Sequence, residues 1–407
     1  MMQRTSIDRE NTAGNAGGSY TVSGPQATGA PQTDATPQVA AAPETDATLQ
    51  AAGVPRPILL QFSRLRIFAC FGIILLHMLF ASNVYFEGSM SLTSTVVTKA
   101  CENMLMWAVP CFLAITGALL LTPDYELTWN KLLHRYVRRM ALALLIFVLI
   151  FQLCDAAMGE ITAGQIIPGF FSNVIQGHSW AHMWYLYLMI GLYLMTPFYK
   201  VLTRHCSDKE LMALCLLLLI FVSVLPNVSI FGLDMGFYIP TSVIYPIYLF
   251  LGYLIHTGKL SIDRLTAWVL VIGCSALLIF LTWMRYTMMV GFLSEDALYA
   301  FDDLFGYSSI LVVGQTAGIF TLFDSSARLA GAKKDPKFLL TVDKCTFGIY
   351  LIHMIFIRFV FKFLGFDPYT LGGPACVAVF LGLAILYFCL AGVITWLIRK
   401  VPGQSIL

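Results

Sequence analysis

The sequence predicts an all-α polytopic membrane protein of about ten transmembrane helices, with both termini in the cytoplasm. Three observations carry this expectation. The chain of 407 residues is 58% hydrophobic and only 12% charged, whereas a soluble domain usually holds about 25% charged residues. Apolar runs of membrane length follow one another from about residue 65 to the end. Lysine and arginine cluster in alternate loops only, which sets orientation by the positive-inside rule. The net charge of +2 gives no electrostatic case for a nucleic-acid partner.

The first element, residues 1–57, is rich in Ala, Thr, Gly, Pro, Gln and Ser and holds no apolar run. Thr33-Asp34-Ala35-Thr36 recurs as Thr45-Asp46-Ala47-Thr48. This composition predicts a disordered, low-complexity cytoplasmic tail. Residues 58–400 form the predicted ten-helix membrane domain, and 401–407 a short cytoplasmic tail. The apolar runs fall near 67–85, 98–121, 140–158, 182–199, 210–226, 240–257, 265–284, 306–324, 345–363 and 374–398. Basic residues precede the first run (Arg56, Arg64, Arg66) and follow the second (Lys131, Arg135, Arg138, Arg139). They also follow the fourth (Lys200, Arg204, Lys209), the sixth (Lys259, Arg264), the eighth (Arg328, Lys333, Lys334, Lys337) and the tenth (Arg399, Lys400). The loops at 86–97, 159–181, 227–239 and 364–373 contain no Lys or Arg.

The ten cysteines mostly sit in or beside apolar runs, where cysteine acts as a small hydrophobe. Without CxxC or Cys/His ligand spacing, no metal is expected.

Arg66 and His77 stand in the first apolar run, eleven positions apart. On a helix they lie within about 20° of one face and about 16 Å apart along the axis. Ionisable groups inside a spanning helix are usually functional, although a histidine there can also serve packing alone. Neutral imidazole suits a general base. Arg66 reads either as a topology charge reaching the headgroups or as a phosphate clamp. The stretch Lys131-Leu-Leu-His-Arg-Tyr-Val-Arg-Arg139 puts Lys131, Arg135 and Arg138 on one helical face. With Arg139, it suits an interfacial helix or a phosphorylated ligand. Glu102, near a membrane boundary, needs a partner or water, and Pro110 and Gly117 in the same run suggest an irregular helix. The stretch from His178 to Tyr187, with His182, Trp184 and Tyr185, fits an interfacial aromatic belt or a carbohydrate platform. Tyr350 and His353 share a helical face one turn apart. No P-loop, GxSxG elbow, HExxH or GxGxxG occurs in a suitable context.

Four of these stretches, in order, resemble the acyltransferase-3 family of integral-membrane O-acyltransferases. They are Arg66-x10-His77, Val109-Pro110-x-Phe112-x3-Thr116-Gly117, Trp184-Tyr185-Leu186-x6-Tyr193-x3-Pro197 and Phe347-Gly-Ile-Tyr350-Leu-Ile-His353. The resemblance spans about residues 62–398. It implies ten helices, transfer of an acyl group to glycans of the bacterial surface, and acetyl-CoA or another acyl-CoA as donor substrate, with no permanently bound cofactor. It implies that Arg66 and His77 are the catalytic pair. The donor's phosphates are then expected at Arg66, Arg135, Arg138 and Arg139. The acceptor, an envelope glycan or lipid-linked saccharide, is expected near Glu102, Thr116, His182, Trp184, Tyr185, Tyr350 and His353. Two departures stand out: Thr116 replaces the usual serine but keeps a hydroxyl, and the acid of the family's Asp-x-Leu-Arg pattern is missing before Arg66, where Arg64 precedes Leu65. His77 can act as a base or carry the acyl group covalently. The competing class is a polytopic transporter or exporter of a glycan or small metabolite. Against it stand the lack of an internal repeat and the scarcity of other intramembrane acids. The expected location is the bacterial plasma membrane, with the lipid bilayer as partner.

Overall fold

The computed structural model describes residues 60–401 except 124, 232, 234–238 and 331–336. The expected tail over 1–57 and nearly all of 401–407 lie outside the described residues. The described residues form helices and no strand. In chain order these are α1 (Leu60–Phe86), α2 (Leu92–Met104), α3 (Ala108–Leu120) and α4 (Trp129–Ala157). Then come α5 (Ile166–Gln176), α6 (Trp184–His205), α7 (Asp208–Leu219) and α8 (Tyr245–His256). The last five are α9 (Arg264–Thr287), α10 (Glu295–Asp302), α11 (Ile310–Ala330), α12 (Lys337–Arg358) and α13 (Gly373–Ile398).

The protein is an all-α polytopic membrane protein. Among the described residues nine helical segments are long and apolar enough to cross a bilayer, and a tenth, Ser242–His256, is apolar but shorter. These ten segments match the ten apolar runs in order. Polar caps mark where several helices start: Ser207 and Glu210 form a reciprocal capping box on α7, and Asp263 accepts from the first backbone amides of α9. Helix α9 keeps Leu265, Val269, Ile272 and Phe280 exposed while burying Ala267, Leu278 and Thr282, the pattern of a helix with one packed face and one face toward lipid.

The second span is broken at Leu105–Trp107, between α2 and α3. Pro110 cannot donate to a helical carbonyl. The break places it at the third position of α3, where backbone amides lack intrahelical partners anyway. The Ala108 amide turns to the Leu105 carbonyl. The Met104 carbonyl accepts instead from Gln315 Nε2 at 3.1 Å, and the same amide group binds Ser275 Oγ at 2.8 Å. A buried polar side chain on α11 thus satisfies the carbonyl left open at the break.

Two glycines set the closest helix crossing. A Cβ on Gly117 of α3 would overlap the backbone of Leu249 on α8, and one on Gly252 of α8 would overlap the backbone of Ala114 on α3. Helices in membranes associate largely by such close backbone approach at small residues. Three crossing segments separate α3 from α8, and Leu120 and His256 at their C-terminal ends both line one cavity, so α3 and α8 are parallel.

Helices α1 and α12 are parallel as well. Arg66 meets Asp343 across 277 positions, Cys70 meets the Thr346 carbonyl across 276, and His77 meets His353 across 276. A constant offset, rather than a constant sum, defines parallel register. Seven apolar segments lie between these two, so parity requires the short segment Ser242–His256 to reverse the chain like the others.

Candidate functional site

The α1/α12 pair carries polar groups at two levels. At the first, Arg66 donates from Nε to Asp343 Oδ1 at 2.6 Å and from Nη2 to Oδ2 at 2.8 Å. Ser63 donates to the same carboxylate at 2.7 Å. Such paired, charge-assisted bonds fix the guanidinium plane. Asp343 therefore supplies the acid missing before Arg66, from a helix distant in sequence. The arrangement leaves Nη1 of Arg66 out of the bidentate contact.

These groups sit on the wall of a cavity of about 1040 Å³. Its lining includes Lys131, Arg135 and Arg139 from α4, Lys344 from α12 and Arg399 just past α13. With Arg66, six guanidinium or ammonium groups stand against the single carboxylate of Asp343. This excess of positive charge in a cleft focuses potential on an anionic ligand. Arg139 also lies over the Phe347 ring at 4.8 Å, and Lys131 over the Tyr125 ring at 4.3 Å.

The expected shared face of Lys131, Arg135 and Arg138 is not what forms. Residues Leu132–Val137 adopt a π turn, which inserts extra residues and shifts the helical phase. Lys131, Arg135 and Arg139 then line the cavity, while Arg138 is exposed and lies outside its lining.

Thr116 lines the wall too, its hydroxyl donating to the Phe112 carbonyl at 2.8 Å and keeping acceptor capacity. Tyr185 and Tyr350 also line it. Tyr350 donates its hydroxyl to the His182 carbonyl, and its ring lies edge-on to those of His182 and Tyr185, each 5.5 Å away.

The second level lies behind these tyrosines. Nδ1 of His77 and Nε2 of His353 are 2.8 Å apart, with the rings stacked at 5.0 Å. The His182 ring meets both edge-on, at 6.1 Å from His77 and 5.5 Å from His353. His182 and His353 are wholly buried, at 0% exposure, and only His77 of the three keeps accessible surface. Neither ring nitrogen of His182 forms a hydrogen bond of good geometry, a costly state unless a further group is received there. Three of the residues singled out in sequence, from three separate stretches, thus form one histidine cluster. His77 itself is not in the cavity lining; Ile73, about one turn before it, is.

Away from the basic end, the cluster is backed by aromatic rings and ions. Phe151 stacks on Trp180 at 4.2 Å, and the Trp180 indole donates to both oxygens of Asp155 at 3.1 Å. Arg358 bridges Asp155 and Glu160 at 3.1 and 2.6 Å. In the loop after α4, burial pushes the Glu160 carboxyl up, but Lys362 and Arg358 outweigh it and hold it below the usual carboxylate range.

Four expected acceptor-side residues lie outside the cavity lining: His182 and His353 in the histidine cluster, and Glu102 and Trp184 elsewhere. Glu102 is buried and bound to Asn83 at 2.7 Å and Lys99 at 3.1 Å. Trp184 packs against Tyr245 and Tyr307 at 5.7 and 5.5 Å. Four groups at the basic end were not singled out in sequence: Asp343, Lys344, Arg399, and His256, which binds Asp324 at 2.8 Å and lines the cavity. One signal was present for the first of these. Asp343 precedes His353 by ten residues as Arg66 precedes His77 by eleven, so matched helices bring both pairs together.

Removing one partner of the Arg66–Asp343 pair strands the other charge at side-chain exposures of 26% and 11%. Arg66→Ala should therefore lower stability by about 1–3 kcal/mol, discounted for partial exposure. Adding Asp343→Ala should restore most of that loss without restoring use of an anionic ligand. Thermal unfolding in detergent, beside ligand titration of both variants, checks the two halves separately. A double variant as unstable as the single one contradicts the pairing argument.

A known family, described as an acyltransferase domain, matches residues 60–398. No curated protein and no solved structure matches significantly.

Proposed function

This chain belongs to the acyltransferase-3 family, and from that premise we propose that it is a membrane O-acyltransferase using acyl-CoA, with acetyl as the group transferred. The acceptor in this reading is a hydroxyl of a cell-envelope glycan or lipid-linked sugar, in the bacterial plasma membrane. The observation that carries it is the cavity lined by six cations and by Tyr185 and Tyr350, with the Tyr350 ring 6.0 Å from His353 of the His77–His353 pair. Its volume suits a ligand larger than a typical drug-sized molecule. Its charge suits a diphosphate and a further phosphate, as CoA carries.

The alternating loop charges put the basic end in the cytoplasm, where acyl-CoA is made available. Arg135, Arg139 and Arg66, with Lys131, Lys344 and Arg399, hold the phosphates. The pantetheine arm runs inward past Tyr185 and Tyr350. The acceptor oxygen attacks the thioester carbonyl while His77 takes the hydroxyl proton. The C–O ester bond forms, the C–S bond breaks, and the departing CoA thiolate receives the proton from His77. His77 is thereby returned to its neutral state, and CoA leaves as the thiol.

Purified protein in lipid nanodiscs, given acetyl-CoA and a mixture of envelope glycans, should release CoA thiol in an acceptor-dependent way. Mass spectrometry should find one added acetyl group on the acceptor. Movement of glycan across the membrane without thiol release would replace this reading with transport.

A further inference from the structure

On the acyl-transfer reading above, on which this inference rests, either ring nitrogen of His77 could serve as base. We propose that His353 is a positioning residue that fixes the tautomer of His77, so that Nε2 of His77 is the nitrogen that receives the acceptor's proton. The argument starts one turn earlier on α12. Nδ1 of His353 lies 3.2 Å from the Ile349 carbonyl oxygen. A carbonyl only accepts, so Nδ1 of His353 carries hydrogen and donates. A second proton on this ring would place an imidazolium at a site of 0% exposure with no carboxylate on it, which is strongly disfavoured. His353 is therefore neutral, and its Nε2 carries a lone pair.

That lone pair faces Nδ1 of His77 at 2.8 Å. Two lone pairs at this distance repel, so Nδ1 of His77 must be the donor. A neutral His77 then has its own lone pair on Nε2. The order of donation is His77 Nδ1 to His353 Nε2, then His353 Nδ1 to Ile349 oxygen. The direction is set by a backbone carbonyl that no protonation event reverses. When His77 takes a proton on Nε2, the imidazolium keeps its Nδ1 bond to His353, which stabilises the charge without moving the ring. Among the three histidines only His77 retains accessible surface, so this nitrogen belongs to the one ring a substrate can reach. The logic matches the carboxylate that orients the base in hydrolase triads, with a neutral imidazole in its place; there, loss of the correct tautomer costs about 10⁴ in kcat.

Two variants separate positioning from mere packing. His353→Phe keeps a flat ring in the buried slot but offers no acceptor. It should lower kcat about 100-fold, less than for a charged orienting group, with donor KM within about twofold. His353→Gln can donate its amide to Ile349 and accept from His77 through its carbonyl, so it should recover at least about tenfold of that loss. The spectroscopic signature is independent of turnover. In protein labelled with nitrogen-15 histidine, resonances assigned by loss in His77→Gln should be pyrrole-like for Nδ1 and pyridine-like for Nε2. A pyridine-like Nδ1 in the unmodified protein overturns the proposal even if His353→Phe fails to insert. So does His353→Phe with kcat within about threefold of the parent. Retained transfer in His77→Gln would instead remove the acyl-transfer base itself.

Discussion

His77→Ala is expected to abolish acyl transfer while the protein still inserts and purifies as a monodisperse species. A positioned general base contributes about 10²–10⁴ in rate, and if His77 also carries the acyl group the loss is larger, because no nucleophile remains. The structural cost is small by comparison. Truncation leaves Nε2 of His353 without its donor in a buried site, which costs about 1–3 kcal/mol. Thermal unfolding should therefore fall by a few degrees, while CoA release drops to background. Acceptor-dependent thiol release and gel filtration of the same preparation measure the two effects separately. Retention of most activity by this variant would remove the central claim. Radiolabelled donor adds a second result. Label held on the parent protein but not on His77→Ala supports covalent transfer, and rapid turnover with no retained label supports the base.

The largest expected effect on folding comes from Gly117→Leu. Any Cβ there would overlap the Leu249 backbone, and backbone has no rotamer to yield. Helices α3 and α8 must separate, opening a gap along a crossing where packing replaces the hydrophobic effect as the driving force. The consequence reaches the site, because Val109, Phe112, Ile115 and Thr116 of α3 line the basic cavity. Folded yield should fall to near zero. Gly191→Ala on α6 is the matched control, since a Cβ there meets nothing within 4 Å. It should be neutral or stabilise by up to about 1 kcal/mol through helix propensity. Fluorescence-detected gel filtration of tagged variants reads both. Normal yield from Gly117→Leu would mean that this crossing is not as close as described.

The order of the spans was legible because apolar length and basic loops are local signals. The helix ends were less so. The span at 92–120 starts six residues before the apolar run near 98, since Ser91 caps it on a polar turn. The shift of phase that admits Arg139 and leaves out Arg138 was hidden, because a π turn has no sequence pattern as regular as 3.6 periodicity. The histidine cluster was half visible: His77, His182 and His353 each stood out, but their meeting depends on which helices are neighbours. Asp343 was not singled out, because its pairing with Arg66 depends on α1 and α12 being parallel neighbours. Glu102 stood out as an ionisable group near a boundary, and the structure gives it Lys99 and Asn83 as partners.

The short segment Ser242–His256 shapes the interior of the bundle at one end. Fifteen residues rise about 22 Å, short of a hydrocarbon layer of about 30 Å. At its basic end His256 packs on Phe62, 5.0 Å away, level with the start of α1. The missing length therefore falls at the other end, where Tyr245 meets Trp184 and Tyr307. Because most of the helix is buried among its neighbours, the gap is filled from within the bundle, and the aromatic rings of Trp184, Tyr245 and Tyr307 take the place of the missing helical turns. Between the far aqueous phase and mid-membrane at that point stand side chains free to change rotamer, where a longer helix would have set a fixed, fully hydrogen-bonded backbone.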